Sequence, residues 1–129
     1  MDTNVLVSGI FWKGLPREIL VLWNRKVIDL VVTPPILEEY ERVIAELGRK
    51  FRAVPVNRLI KRIEDRCILV KHVQISPVRC GDPTDQKFLD AATNRTSYLV
   101  TGDQVLLSAR AYPGGRIMSP RAFLGEFRE

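Results

Sequence analysis

Cysteine and histidine are nearly absent from this 129-residue chain, which has two cysteines and one histidine. Cys67 and Cys80 match no zinc-ligand spacing and no redox motif, and His72 has no ligand partner close in sequence. A zinc centre and a histidine-based triad are therefore both disfavoured, and the cysteines read as reduced thiols. Long uncharged runs are missing too. The longest, Thr3 to Trp12, has ten residues, against about 18 for a membrane-spanning helix. No basic stretch of the kind that opens a secretory signal is present, since Asp2 stands where it would begin. These absences lead us to expect a soluble, cytoplasmic protein that uses no membrane. With 46% hydrophobic and 27% charged residues, the composition is that of one globular domain over residues 1–129.

The charge that is present is unevenly spread. Lysine and arginine number 20 against 15 acids, a net of +5. Arg49 to Lys71 carries a net of +6, whereas Cys80 to Asp103 carries a net of −2. A basic segment of that kind favours a polyanionic partner such as nucleic acid. Its residues Arg49, Lys50, Arg52, Arg58, Lys61 and Arg62 are the candidate RNA contacts. The same residues also suit an ordinary solvated helix face.

Helix and strand signals alternate, which points to an α/β fold with a mainly parallel sheet. Pro16–Asn24 predicts a helix with proline in its first turn, and Ile28–Thr33 a buried strand stopped by Pro34-Pro35. Pro34–Leu47 predicts a helix, because Ile36, Leu37, Tyr40, Val43, Ile44 and Leu47 follow the three-four spacing. Gly48 provides its stop. Val56–Arg66 predicts a second amphipathic helix with Leu59, Ile60 and Ile63 inward. Beyond it come an edge strand at Ile68–Val73 and a helix at Asp82–Asn94. A strand at Ser97–Thr101, a short helix at Gln104–Arg110, a strand at Arg116–Met118 and a helix at Pro120–Phe127 complete the chain. Val5–Trp12 fits either a strand or a buried helix, and its pattern alone leans to strand.

Acidic residues fall where parallel α/β sheets gather chemistry, at strand ends and the turns after them. Asp103 follows a predicted strand, Asp82 and Asp85 open a helix, and Asp2 stands at the start. Clustered carboxylates repel unless protonated or bridged by cations, and hard divalent ions take such oxygen ligands. Helix capping explains the same residue types: Asp82, Pro83 and Asp85 suit an acidic capping box, and Asp103 an N-cap. Of Glu38, Glu39 and Glu41, helical geometry turns Glu38 about 160° from the apolar stripe and the other two about 100°. Only Glu39 and Glu41 therefore border a cleft. Gly102 allows a tight turn that lets Asp103 project into the cleft.

Taken in order, these residues resemble the PIN-domain ribonucleases. Asp2-Thr3-Asn4-Val5-Leu6-Val7-Ser8 resembles the opening motif, and Thr33-Pro34-Pro35-Ile36-Leu37-Glu38-Glu39-Tyr40 the second. Asp82 to Ala92 and Tyr98 to Asp103 resemble the third and fourth, and Arg116 to Leu124 the family's end. The resemblance implies a three-layer α/β/α sandwich around a mainly parallel central sheet, with Asp2–Trp12 entering a helix. With Met1 alone before Asp2, it also implies a shortened first strand. It implies that Asp2, Glu39, Asp85 and Asp103 are catalytic and hold Mg²⁺ or Mn²⁺, with Asn4 and Thr101 as polar support. RNA hydrolysis is the implied activity. The Pro-Pro-Ile-Leu-Glu-Glu and Asp-Pro-Thr-Asp forms resemble a subgroup of toxins from toxin–antitoxin pairs, whose partners would be an antitoxin protein and a second copy of the chain. The alternative from another class is a non-catalytic PIN-like module that binds RNA or protein.

Overall fold

Asp2 starts the chain's first helix. Its backbone is extended and its carboxylate accepts from the Asn4 N–H at 2.8 Å, satisfying one of the donors a helix start leaves open. Helix α1 then runs over Thr3–Phe11, so the strand that pattern alone favoured there is corrected to a helix. Its physical reason is a cap at Asp2 followed by a segment buried on several faces at once, Thr3, Val5, Leu6, Val7 and Gly9. A computed structural model describes residues 1–71, 83–93, 98–108, 111–112 and 115–127.

Helix α2 covers Leu15–Asn24, with proline near its start as expected. It packs closely on α1: a Cβ at Gly9 would stand 2.7 Å from Leu20 Cδ1 and 2.8 Å from the Pro16 carbonyl oxygen. Strand β1 is Val31–Val32, and helix α3 follows over Pro34–Gly48. Ile36, Tyr40 and Ile44 are fully buried along one face of α3, while Leu37, Val43 and Leu47 are half-buried. Helix α4 covers Val56–Arg66, the predicted bounds, with Ile63 buried and its cations outward. A Cβ at Gly48 would collide with Val56, so this glycine permits close approach of α3 and α4. Strand β2, Ile68–Leu69, pairs in parallel with β1.

Pro83–Asp85 forms a 3₁₀ turn that leads into helix α5, Gln86–Thr93. Strand β3 is Tyr98–Val100, helix α6 Gln104–Leu107, and strand β4 Ala111–Tyr112. Strand β5, Gly115–Met118, pairs in parallel with β3 and antiparallel with β4. The strand β4 had no prediction. Helix α7, Pro120–Gly125, is capped by the Ser119 side chain. Asp82, Cys80, His72, Asn94, Ser97 and Arg110, each assigned a place by the sequence, lie outside the described residues.

The architecture is α/β with small parallel sheets. Among the described residues the strands form two sheets, β1-β2 and β3-β5-β4, rather than one central sheet. A cavity of about 320 Å³ separates them, lined by Leu30 and Val31 on one side and by Tyr98, Leu99 and Val100 on the other. Met1 also lines it. The start of the chain is tied to β3 by the Asp2 N–H, which donates to the Val100 carbonyl at 2.9 Å. The main core fills the space beneath with Leu6, Val32, Tyr40, Ile44, Leu89 and Leu99. Each such fully buried aliphatic side chain contributes about 1.5–3 kcal/mol.

Candidate functional site

The carboxyl ends of β1 and β3 and the start of α1 meet around Asp2. Asp2 and Thr101 are both buried, at 7% and 0% exposure. The Thr101 hydroxyl donates to Asp2 Oδ2 at 2.5 Å and accepts from the Asp103 N–H at 3.0 Å. One hydroxyl thus joins two of the expected ligands. Asp103 Oδ1 accepts from the Val105 N–H at 2.9 Å and caps α6, as Asp2 Oδ1 caps α1. Capping and site-building are therefore compatible: each aspartate uses one carboxylate oxygen to start a helix. Gly102 needs no turn of its own, because only Gly14 among the described glycines has positive φ and a Cβ at 102 would meet nothing. The Asp103 side chain is set by its cap on α6, and its backbone by the Thr101 hydroxyl.

Helix α3 grips the same stretch from the other side. Glu39 Oε2 accepts from the Thr3 hydroxyl, and the Tyr40 hydroxyl donates to the Met1 carbonyl. Two adjacent residues of α3 therefore clasp the residues on either side of Asp2. Tyr40 is fully buried, and its burial, with the charges of Asp2 and Glu39 nearby, pushes its hydroxyl pKa well up. It acts as a neutral donor. Burial works to raise the Glu39 carboxyl, but the Thr3 and Lys87 hydrogen bonds and the charges of Lys87 and Arg42 together hold it below the usual range. The Lys87 ammonium stands 3.0 Å from Glu39 Oε1, and Arg42 lies at 3.9 Å.

The other expected residues divide. Asp85 is half-buried at the end of the 3₁₀ turn, two residues before Lys87. Asn4 supports Asp2 only through its backbone N–H, and its side chain is exposed. Glu38 points to solvent, and Glu41 faces Glu64 on α4, whose hydrogen bond and charge add to burial in raising its carboxyl pKa. Of the basic residues, Arg49, Arg52 and Arg58 rim a groove of about 540 Å³ at the α3–α4 junction. Lys61 pairs with Asp65 at 3.5 Å and Arg62 donates to Asn24 at 3.0 Å. Sequence reading missed Thr3, Tyr40 and Lys87. Each lies inside or beside a quoted motif, yet nothing in the pattern says which carboxylate it serves.

Hard carboxylate oxygens at Asp2, Glu39 and Asp103 are the donor type that Mg²⁺ and Mn²⁺ take. That Glu39 already holds an ammonium at 3.0 Å shows that the site calls for positive charge. Among the described residues no three His, Cys, Asp or Glu side chains close on a single point. The donor chemistry fits a cation; Thr101 joins the Asp2 carboxylate to the backbone of Asp103, and Thr3 holds Glu39.

Residues 1–105 match the PIN domain family. The chain belongs to that family. PIN domains are generally nucleases, typically use divalent metals and bind RNA. An uncharacterized protein of Methanocaldococcus jannaschii is 28% identical to this PIN domain over 121 residues, covering 85% of this chain and 73% of the relative. No solved structure matches it significantly. Among the described residues of this PIN domain no helix is long and apolar enough to cross a membrane.

Proposed function

We propose that this PIN domain is a metal-dependent ribonuclease that hydrolyses RNA phosphodiester bonds. The observation that carries this reading is the Thr101 hydroxyl joining the Asp2 carboxylate to the Asp103 backbone N–H, while Thr3, next to Asp2, engages Glu39. Asp2, Glu39, Asp85 and Asp103 would hold Mg²⁺ or Mn²⁺. Such an ion supplies Lewis acidity at the phosphate and lowers the pKa of water. The chain's own residues supply position. Thr101 fixes the two aspartates, Tyr40 and Thr3 lock α3 against the start of α1, and Lys87 offers an ammonium to Glu39 or to a phosphate oxygen. Arg49, Lys50, Arg52, Arg58, Lys61 and Arg62 would attract the RNA backbone.

The finer parts of the reading go with it. These are a three-layer α/β/α arrangement, a cytoplasmic location, and service as the toxin of a toxin–antitoxin pair with an antitoxin protein or a second copy as partner. The forms of the Pro34–Glu39 and Asp82–Asp85 motifs support the toxin role. Inducing the chain in a bacterial host tests that part: growth arrest relieved by a small neighbouring reading frame supports it, and unimpeded growth opposes it.

One observation favours a second reading, a non-catalytic PIN-like module that binds RNA or protein. Glu39 is already paired with the Lys87 ammonium and hydrogen-bonded by Thr3. Incubating the chain with labelled single-stranded RNA and Mn²⁺, with and without chelator, separates the two. Cleavage that needs the ion and disappears in Asp103→Asn and Asp85→Asn supports the nuclease. Chelator-insensitive binding without cleavage supports the module.

A further inference from the structure

An aromatic cluster stands apart from the carboxylates, at the far end of α1. Trp12 caps the carboxyl end of that helix and is 47% exposed; Phe51, just beyond α3, is 37% exposed. Their rings meet edge to face at 5.5 Å, and Phe11 packs behind Phe51, also at 5.5 Å. Tight packing of this kind holds two aromatic rings at the surface without burying them. Such rings are expensive to leave in water, and their exposure here is contiguous rather than scattered.

Cations surround them. Lys13 follows Trp12, and Arg49, Lys50 and Arg52 flank Phe51; all four are exposed. A groove of about 410 Å³ leads away from the cluster along α1, with Trp12 and Lys50 at one end and Asn4 at the other. Ser8 and Val7 line its α1 wall, and Val43, Glu46 and Leu47 its α3 wall. Glu46, its one acid, lies 3.8 Å from Arg42. Asn4 donates its backbone N–H to the Asp2 carboxylate. Eight residue steps along α1 lead from Asn4 to Trp12, about 12 Å at the α-helical rise.

We infer that Trp12 and Phe51 form a stacking platform for an unpaired RNA base, with the groove along α1 leading from that platform to the carboxylate site. The inference rests on the proposed RNA reading and assigns that substrate its single-stranded form. Exposed rings interleaved with cations give the two things a single strand needs, a π-face for a base and positive charge for its phosphates. A duplex buries its base faces and gains nothing from Trp12. A protein partner would use the rings but has no need of four flanking cations.

The test uses the full chain, an oligouridylate as probe, and EDTA so that binding is read without cleavage. Trp23 is 8% exposed, so quenching by the probe reports on Trp12. The expected result is quenching in the parent, binding weakened roughly tenfold in Trp12→Ala and in Phe51→Ala, and near-parental binding in Trp12→Phe. Circular dichroism confirms that each variant is folded. Unquenched fluorescence, or full binding by folded Trp12→Ala, overturns the platform. The outcomes also separate this inference from the nuclease reading. Quenching and Trp12-dependent binding without Mn²⁺-dependent cleavage leave the platform standing and remove the nuclease. Cleavage without any effect of Trp12→Ala does the reverse.

Discussion

The two sides of the carboxylate site are held in different ways. Among the described residues Asp2 accepts from the Thr101 hydroxyl and the Asn4 amide, and Asp103 from the Val105 amide. Burial lowers the pKa of the Met1 amino group beside Asp2 to about 6, so that it is largely neutral at pH 7. Glu39 instead has two cations, Lys87 at 3.0 Å and Arg42 at 3.9 Å. Hydrogen bonds from hydroxyls and amides orient a carboxylate and favour its charged form, but they do not cancel its charge. The aspartate side therefore keeps a demand for a cation from outside, and the glutamate side carries its own. The difference teaches where an ion would be drawn first.

The largest expected effect breaks the aspartate side. Asp103→Asn keeps an oxygen to cap α6 but removes the charge, and should lower Mn²⁺-dependent RNA cleavage at least about 100-fold with little loss of stability. Single-turnover cleavage and urea unfolding read the two consequences separately. Thr101→Val comes next. It removes the one hydroxyl that joins Asp2 to Asp103, leaves a buried carboxylate short of a donor, and should cost about 2 kcal/mol in urea unfolding. Tyr40→Phe unfastens α3 from the Met1 carbonyl and should cost about 1 kcal/mol in the same measurement.

Lys87→Gln tests the glutamate side and should cost less than about 1 kcal/mol. Its sharper signature is in pH. Because the Glu39 carboxyl is held below its ordinary range in the folded chain, its partners add stability above that range, and the gain is lost as pH falls through the lowered value. Stability measured across the acid range should therefore fall less steeply in Lys87→Gln than in the parent. The smallest effect lies away from both sides. Glu41 and Glu64 face each other across α3 and α4, and burial together with Glu64 raises the Glu41 carboxyl. Folded chain gains by keeping that proton, so the repulsion grows as pH rises through the raised value. Glu41→Gln should stabilise the chain by a few tenths of a kcal/mol at neutral pH and not in acid, as read by thermal unfolding.

The sequence was most legible where one face of a helix is apolar and the other is not. Helix α4 runs over the predicted Val56–Arg66, and α3 over Pro34–Gly48 with Ile36, Tyr40 and Ile44 inward. Helix α1 was legible only through its resemblance to a family motif, since residues buried on several faces carry no period to read. The separation into two sheets was not legible, because pairing across β1 and β3 depends on what lies between them rather than on either strand. At the site, the motif pattern singles out Asp2, Glu39 and Asp103 as candidates, with Thr101 beside them. Their partners did not. Tyr40 reads as another core residue of the α3 stripe, and Lys87 as one cation among 20 lysines and arginines. Only the packing of α5 against α3 brings Lys87 to Glu39.

Paramagnetic titration tests the central claim most directly, because Mn²⁺ broadens the resonances of the groups beside it. Substoichiometric Mn²⁺ added to isotope-labelled chain should broaden Asp2, Thr101 and Asp103 first and Glu39 with them, and Asp103→Asn should abolish the broadening at this site. Unbroadened Asp2, Thr101 and Asp103 in the parent, with Mn²⁺ seated elsewhere or not bound, would contradict a metal-dependent nuclease built on these carboxylates.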